Sequence, residues 1–317
     1  MDSEAGDGDG VVFEFLPAFR VFKSGRVQRL FPDDRLPPST DPLTGVQSKD
    51  ILIDPQTQLS VRIFLPHVSH STKKLPLLIY IHGGAFSIGS VATPIYHHHL
   101  ISLAAEANAV ALSVEYRLAP EHPLPAAYDD AWAAVEWAAS HSNGNGEEIW
   151  LNQHADFNHV SVVGDSAGAN ISYNVVVRAS ESNNGAKGMK ISGLGLVHPF
   201  FMIDKPDKLI DYIFPTSSGL DDPRLNPWAN PKLGKLRCER VLILAADLDL
   251  LKDRAHGFYA ALRENGFEGS VEMVETQGED HVFHLFNPNT HNAIALLKKL
   301  ASFIQSMDGV GTLTSHL

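Results

Sequence analysis

The stretch that decides the fold is Val163–Asn170, VGDSAGAN, which places Ser166 between Gly164 and Gly168. A β-branched run, HVSVV, leads into it, and the helix-like run ANISYNVVVRAS begins at Ala169. A strand that turns sharply into a helix lifts a serine hydroxyl above the strand end, and the two glycines keep the turn free of side chains. Because Gly-x-Ser-x-Gly alone occurs by chance, the flanking strand and helix carry the prediction. They indicate that Ser166 is a nucleophile.

Short apolar or β-branched runs alternate with longer segments of helical periodicity from about residue 58 onward. Several runs, such as LLIYI and VLILA, are apolar throughout, which is typical of strands covered on both faces. The alternation predicts an α/β fold with a mostly parallel central sheet and helices on both faces. We expect strands at Leu59–Pro66, Leu77–Ile81, Ala109–Glu115, His159–Val163, Ile191–Val197, Val241–Ala246 and Val271–Glu275. We expect helices at about Pro94–Ala107, Ala126–His141, Ala167–Ala179, Arg254–Asn265 and Thr290–Ser306.

Two segments fall outside this alternation. The first is about residues 1–50, with the aromatic and basic run FEFLPAFRVFKSGRVQRLF, and the second is about residues 201–235, rich in Pro, Asp and Lys. Loops longer than about 12–15 residues in a compact domain are usually functional or disordered, and the aromatic side chains argue against disorder. We therefore expect a single domain over residues 1–317, with an N-terminal lid segment and a cap insertion.

A glycine-rich turn follows the predicted strand that ends at Ile81, where the sequence continues HGGAF. Glycine amides can approach a ligand closely because no Cβ obstructs them. Serine enzymes that transfer acyl groups draw one backbone donor from such a turn and another from the residue after the nucleophile. The turn therefore predicts an oxyanion hole made by the amides of Gly83, Gly84 and Ala167.

A serine nucleophile also needs a base that a carboxylate holds in place, and in this type of sheet both follow the serine in the chain. Asp247 and Asp249 come directly after the strand VLILAA, and His281 and His284 come after the last strand. All four lie at the carboxyl edge of the sheet, where Ser166 also lies. The spacing alone leaves both carboxylates and both histidines open.

Charge and composition exclude several kinds of site. Lys and Arg total 25 against 37 for Asp and Glu, and the net charge of −12 repels nucleic-acid phosphates and anionic membranes. The single cysteine, Cys238, cannot form an intrachain disulfide and is typical of a buried inert thiol. His97, His98 and His99 are consecutive on a predicted helix, so they point about 100° apart and cannot converge on a metal ion. We expect neither a metal nor a nucleic-acid partner.

The ends of the chain bear on its location. The start, MDSEAGDGDG, is acidic and unlike a secretory signal, and no stretch approaches the roughly 20 apolar residues that span a bilayer. We therefore expect a cytoplasmic protein, either a monomer or a homodimer. Ser315-His316-Leu317 approximates the peroxisomal tripeptide Ser-Lys-Leu, with His in place of Lys, and is the feature that favours peroxisomal import.

Five motifs together resemble a plant carboxylesterase of the hormone-sensitive-lipase group, within the α/β-hydrolase fold. They are HGGAF, YRLAPEHPLPAAYDD, GDSAGAN, ADLDLLKDR and GEDHVF, and the similarity runs from about Phe13 to Gln305. The nearest likeness is to carboxylesterases similar to 2-hydroxyisoflavanone dehydratase. The resemblance implies a triad of Ser166, Asp249 and His281, the oxyanion hole named above, and an N-terminal segment that covers the site. It favours Asp249 over Asp247 and His281 over His284, and it implies no cofactor.

The activity that the resemblance implies is hydrolysis of small carboxylic esters through an acyl-enzyme. Proteins that resemble the dehydratases carry threonine at the nucleophile position, so Ser166 favours hydrolysis over dehydration. The segment 201–226 also looks shorter than in those relatives, which implies a more open pocket.

Two alternative functions and the residues of the substrate pocket are left open by the sequence. The alternatives are a dehydratase or cyclase of a specialised metabolite on the same scaffold, and a non-catalytic small-molecule receptor, which would lack the histidine that this chain retains at His281. Proximity to the motifs suggests a substrate pocket, with core packing as the rival interpretation for each wall residue. These residues are Phe86, Ile88, Phe200, Phe201, Leu250 and Val282.

Overall fold

The structure is a computed structural model that describes residues 9–32, 34–68, 73–181, 186–202 and 205–306. The C-terminal tripeptide 315–317 lies outside the described residues. Near the start, β1 (Val11–Phe15), β2 (Phe19–Phe22) and β3 (Val27–Arg29) form a three-stranded antiparallel sheet. The central sheet has eight strands, β4 (Gln47–Asp54), β5 (Leu59–Leu65), β6 (Leu75–Ile81), β7 (Val110–Glu115), β8 (Ala155–Asp165), β9 (Ile191–Val197), β10 (Arg240–Ala246) and β11 (Ser270–Thr276).

The central sheet is mostly parallel, as predicted. Its strand order is β11-β10-β9-β8-β6-β7-β5-β4, and β6 to β11 all run in the same direction. Only β5 and β4 are antiparallel to their neighbours. The last five residues of β6 are buried, as are all of β9 and β10, which agrees with their mostly apolar sequences. The pair β4 and β5 closes one edge of the sheet.

Helices cover both faces of the sheet. They are α1 (Pro94–Ala107), α2 (Ala126–Ala139), α3 (Ile149–His154), α4 (Ala167–Glu181), α5 (Lys208–Ile213), α6 (Lys252–Glu264), α7 (Phe283–Phe286) and α8 (His291–Gln305). The apolar residues of α1, α7 and α8 share one hydrophobic core, and those of α2, α4 and α6 share the other. Two cores on opposite faces confirm the predicted layered architecture. Within the described ranges, no helix is both long and apolar enough to cross a bilayer.

The two segments that interrupt the alternation touch one another. The segment 201–235 contains α5 and three short 3-10 helices, at Gly219–Asp221, Pro227–Ala229 and Leu233–Lys235. The ring of Phe13 on β1 stacks on Tyr212 of α5, with centroids 3.9 Å apart and planes 3° from parallel. The N-terminal sheet therefore packs against the first part of the 201–235 segment.

The turn between β8 and α4 lies tightly against the end of β6. A Cβ added at Gly168 would overlap the carbonyl oxygens of Ile81 and His82, and one added at Gly164 would overlap the Gly168 carbonyl. Both glycines are thus required by the close approach of two backbones. This is the packing reason for the Gly-x-Ser-x-Gly spacing.

We expect Gly168→Ala to lower the free energy of unfolding by about 1–3 kcal/mol, because the new methyl group forces the two backbones apart. Gly10→Ala is the matched control, since its Cβ would lie 3.5 Å from the Lys23 side chain in ordinary contact. Urea denaturation of both variants measures the difference. Equal stability of the two variants would show that the turn is not tightly packed.

Two buried histidines lie between helices on one face of the sheet. His99 of α1 and His284 of α7 pack edge to face, with ring centroids 5.1 Å apart. Burial lowers the pKa of His99 to about 4. Burial, together with the neighbouring histidines, lowers the pKa of His284 well below its ordinary value. Both rings are therefore neutral in the folded protein at mildly acidic pH.

The free energy of unfolding should fall as the pH falls below about 6.5, because the unfolded chain then takes up protons on these histidines and the folded protein does not. Between pH 7 and pH 5, His99 contributes a loss of about 2 kcal/mol. His99→Phe should make that loss smaller by this amount in urea denaturation at the two pH values. The control is His98→Gln, since His98 is exposed. A loss that is unchanged in His99→Phe contradicts the assignment.

Candidate active site

Ser166 lies at the tip of the turn between β8 and α4, in a conformation that the sheet holds. Its φ is +53°, in the left-handed region that non-glycine residues rarely adopt. Its amide donates to the Val197 carbonyl at 2.9 Å, and its carbonyl accepts from the Phe200 amide at 3.1 Å. These two bonds tie the turn to the end of β9. The hydroxyl is therefore presented at the carboxyl edge of the sheet.

Asp249 and His281 reach Ser166 from the loops that follow β10 and β11. The Nε2 atom of His281 lies 2.9 Å from Ser166 Oγ, and its Nδ1 atom lies 2.8 Å from Asp249 Oδ2. Because an ionised carboxylate only accepts, Nδ1 carries the ring proton and Nε2 can accept from the serine hydroxyl. The three side chains form one continuous chain of hydrogen bonds.

The carboxylate of Asp249 is buried and held by two donors. Its side chain is 2% exposed, and Oδ1 accepts from the Leu251 amide at 2.8 Å. Burial alone raises the pKa of Asp249, but the hydrogen bond and charge of His281 and the Leu251 amide bring that pKa below its ordinary value. Asp249 is therefore ionised at neutral pH. Its charge favours an imidazolium on His281.

The two residues that the spacing left as alternatives have other contacts. Asp247 Oδ1 accepts from the amides of Gly278 and Glu279, at 2.7 and 3.2 Å, so it links the loops after β10 and β11. His284 is buried and packs against His99 and His198, whereas Ser166 Oγ contacts Nε2 of His281. The geometry brings together the pair that the resemblance favoured.

The glycine-rich turn after β6 runs alongside Ser166. A Cβ added at Gly83 would lie 3.1 Å from the Cβ of Ser166. However, the Gly83 amide donates to the Tyr96 hydroxyl at 3.0 Å and to Asp165 Oδ1 at 3.1 Å. The Gly83 amide, which was predicted to serve the oxyanion hole, thus already has two acceptors within the protein.

The next two amides of the turn are free. Gly84 has φ +106° and Ala85 has φ +52°, so the chain reverses direction here. The Gly84 carbonyl closes the turn by accepting from the amides of Ser87 and Ile88, both at 2.9 Å. Within the part of the chain that the structure describes, neither the Gly84 nor the Ala85 amide donates a hydrogen bond. These two amides and that of Ala167, the first residue of α4, are therefore available to donate hydrogen bonds to an oxyanion.

Asp165 was not predicted from the sequence as a site residue. It is fully buried beneath the turn and accepts from the hydroxyls of Tyr80 and Tyr96, at 2.8 and 2.9 Å, in addition to the Gly83 amide. Burial raises the pKa of Asp165, and the tyrosine hydrogen bonds oppose that rise. The sequence signals were a carboxylate directly before the nucleophile, a tyrosine near the end of a strand and another near the start of a helix.

The predicted pocket residues divide into three groups. Leu250 is 94% exposed, so it lines no enclosed pocket. Phe201 is fully buried between the rings of Tyr173 and Phe258, so core packing is the better description of it. Of the remaining residues, Phe86 and Phe200 meet edge to face at 5.9 Å, and Ile88, Phe200 and Val282 are half-buried.

A cavity of about 280 Å³ opens beside the glycine-rich turn. It lies between the segment after β3, the turn that contains Ile88, and the loop after β7. Arg29 closes one wall, because it donates to the Ser87 carbonyl at 2.8 Å and pairs with Glu121. The lining residues are Arg29, Phe31, Pro32, Arg35, Ile88, Gly89, Thr93, Leu118, Glu121 and His122.

Among the described residues, one cluster of side chains with metal-ligating atoms lies at the site. One atom each from His198, Asp249 and His281 lie within 4.8 Å of one another. Both nitrogens of His281 are engaged, with Asp249 and Ser166, so a metal ion would have to displace these hydrogen bonds. The consecutive histidines of α1 have separate surroundings: His97 lies beside Arg62, His98 is exposed, and His99 packs on Tyr80.

Comparison with known proteins agrees with this geometry. The model of the α/β hydrolase fold family matches residues 78–285. The chain is 41% identical to probable carboxylesterase 2 of Arabidopsis thaliana over 314 residues, which cover 94% of this chain and 98% of the relative. It is 38% identical to 2-hydroxyisoflavanone dehydratase of Glycyrrhiza echinata over 314 residues, covering 92% and 95%.

A solved structure is also similar. The hyperthermophilic esterase of the archaeon Pyrobaculum calidifontis superposes with a TM-score of 0.66 at 26% identity, covering 82% of this chain and 83% of that one. These matches confirm the resemblance to plant carboxylesterases. The chain belongs to the α/β hydrolase fold family.

Proposed function

We propose that this protein is a serine carboxylesterase that hydrolyses small carboxylic esters through an acyl-enzyme. The observation that carries the proposal is the hydrogen-bond chain from Ser166 through His281 to Asp249, with bonds of 2.9 and 2.8 Å. Carboxylesterase relatives and an esterase with a similar structure support the same conclusion. No cofactor or metal takes part in the proposed reaction.

In the first half of the reaction, Ser166 Oγ attacks the ester carbonyl carbon while His281 Nε2 takes the hydroxyl proton. Asp249 holds the ring in the tautomer that makes Nε2 the acceptor, and its negative charge stabilises the imidazolium. The tetrahedral intermediate then collapses. His281 gives the proton to the leaving alcohol, and the acyl group stays on Ser166.

The negative charge of the tetrahedral intermediate needs backbone donors. We assign this role to the amides of Gly84, Ala85 and Ala167. The first two lack an acceptor among the described residues, and the third lies at the start of α4, where helix amides are unpaired. In the second half of the reaction, water attacks the acyl group with His281 as base, and the same donors stabilise the second intermediate.

The N-terminal segment is proposed to be a lid. Arg29 at the end of β3 donates to the Ser87 carbonyl and pairs with Glu121 at 2.8 Å, so the segment is tied to the turn that carries Gly84. The stacking of Phe13 on Tyr212 ties it also to the 201–235 segment, which we propose is a cap. Both segments then cover one side of the site within a single domain.

Dehydration or cyclisation of a specialised metabolite is the second candidate function, because one relative of 38% identity is named a dehydratase. Such a reaction could use His281 as base and the backbone donors without a covalent intermediate. It would then survive Ser166→Ala, whereas ester hydrolysis would not. A receptor without catalysis is disfavoured by the intact contact between His281 and Ser166.

Location and assembly belong to the same proposal. The protein is proposed to be cytoplasmic and to act on a small ester. Its net charge of −12 supports the proposal that it binds no nucleic acid. A monomer and a homodimer both satisfy the proposed mechanism, since every proposed catalytic group comes from one chain.

We expect Ser166→Ala to reduce kcat/KM for p-nitrophenyl acetate by at least about 10⁴-fold, because the acyl-enzyme can no longer form. Labelling of the wild type with an organophosphate, followed by peptide mass analysis, should place the modification on Ser166. Circular dichroism of the variant checks that the fold is retained. Turnover equal to that of the wild type, or a label on another residue, would remove the esterase proposal.

The two candidate bases can be separated by a pair of variants. His281→Ala should abolish turnover of p-nitrophenyl acetate, because the ring that contacts Ser166 is removed. His284→Ala should leave most of the turnover at a temperature where the variant is folded, because His284 packs against His99 instead. The opposite result would assign the base to His284.

A further inference from the structure

His198 is a buried histidine for which the proposed mechanism has no use. It directly follows β9, at the same edge of the sheet as Ser166, and it is 1% exposed. Its φ is +48°, a left-handed conformation that is uncommon outside glycine. Its amide donates to the Leu244 carbonyl of β10 at 2.8 Å, so the central sheet fixes the backbone. The ring is therefore anchored to the rigid part of the molecule.

Among the residues that the structure describes, the ring of His198 makes one hydrogen bond, which joins it to the loop that carries His281. Its Nδ1 atom accepts from the Val282 amide at 2.7 Å. Val282 directly follows His281 and has φ +47°, which is unfavourable for a β-branched residue. A strained conformation persists only where the surroundings hold it. The His198 ring is the partner of the amide at this strained position.

The ring also lies beside the Asp249–His281 pair. One metal-ligating atom each of His198, Asp249 and His281 lie within 4.8 Å of one another, and the His198 and His281 ring centroids are 5.8 Å apart. The ring of His284 lies at the same centroid distance on another side, and Phe283 also packs against it. The titratable groups that face His198 are therefore Asp249, His281 and His284.

The protonation state of His198 follows from these surroundings. Burial, with a further contribution from His281, lowers the pKa of His198 to about 3 in spite of the nearby Asp249 carboxylate. The ring is therefore neutral at neutral pH, with its proton on Nε2, since Nδ1 is an acceptor. A neutral ring adds no positive charge beside the imidazolium that forms on His281. It can accept from Val282 at every stage of the reaction.

We propose that His198 is a positioning residue, which holds the Val282 amide through Nδ1 and thereby keeps the His281 ring within hydrogen-bonding distance of both Ser166 and Asp249. The proposal rests on the proposed serine-esterase mechanism. His198 itself touches no reacting atom. Its effect is transmitted through one residue of backbone, from Val282 to His281.

Asparagine and glutamine at position 198 make a matched pair of tests. The Oδ1 atom of asparagine can occupy the place of Nδ1 and accept from the Val282 amide, whereas the oxygen of glutamine corresponds to Nε2 and cannot reach it without displacing the chain. We expect His198→Gln and His198→Phe to lower kcat for p-nitrophenyl acetate by about 10–100-fold with little change in KM, since small displacements of a catalytic group have effects of this size. His198→Asn should restore most of the activity.

Two further readouts separate positioning from general stability. The rate of inactivation by an organophosphate should fall in parallel with kcat in His198→Gln, because that rate reports the activation of Ser166. The downfield proton NMR resonance of the His281–Asp249 hydrogen bond should weaken in His198→Gln and persist in His198→Asn. Urea denaturation of each variant measures its free energy of unfolding, which is then compared with its loss of activity.

The proposal is overturned if His198→Gln, while folded, keeps the kcat of the wild type. It is also overturned if the asparagine and glutamine variants lose activity equally, because packing of the ring and not the Val282 hydrogen bond then matters. If His198→Phe does not fold, the asparagine and glutamine pair still decides the question. Failure of the esterase mechanism is recognised separately, by Ser166→Ala in an otherwise unchanged chain.

Discussion

The buried carboxylate of Asp165 is the constraint on which the site depends most. It accepts hydrogen bonds from Tyr80 on β6, Tyr96 on α1 and the amide of Gly83. A buried carboxylate is costly unless its oxygens are satisfied, so these donors cannot move independently of it. Asp165 precedes Ser166, and Gly83 precedes Gly84. One side chain therefore fixes the distance between the proposed nucleophile and the proposed oxyanion donors.

The positions of Asp249 and His281 depend on the register of neighbouring parallel strands. The strands β10 and β11 pair up to Ala246 and Thr276, so their following loops begin side by side. Asp247 joins these loops by accepting from the amides of Gly278 and Glu279. Asp249 and His281 therefore lie on loops at the same edge of the sheet. His281 contacts Ser166, from which it is separated by 115 positions in the sequence. The site is thus assembled at the sheet edge from loops that are far apart in the sequence.

The sequence predicted well those strands and helices that show a regular pattern of apolar residues, and it also predicted their order along the chain. The parallel strands and the main helices were expected within a few residues, because buried strands are uniformly apolar and amphipathic helices repeat regularly. The antiparallel edge strand β4 was missed because QSKDILID is partly exposed and lacks that signal. The strands β1 to β3 were also missed, because they are short and form a separate small sheet.

Site residues were predictable only where a motif fixed their backbone. Ser166, Asp249 and His281 meet as the resemblance implied, since each follows a recognisable strand. The pocket did not follow from the sequence: Leu250 lies beside Asp249 yet points to solvent, and Phe201 follows Phe200 yet is core. Loops lack a regular side-chain periodicity, so the sequence does not show which of two adjacent residues is buried. The acceptors of the Gly83 amide come from α1 and from the end of β8, so the sequence did not show that this amide is already hydrogen-bonded.

Backbone strain is concentrated around the site. Among the described residues, seven non-glycine residues have positive φ, and five of them are Ala85, Phe86, Ser166, His198 and Val282. Each such residue costs free energy and persists only where its surroundings hold it. The loops cannot supply that support, but the buried strands that they follow can, through bonds such as Ser166 to Val197 and His198 to Leu244. The central sheet therefore stabilises the loop conformations that bring Ser166, Asp249 and His281 together.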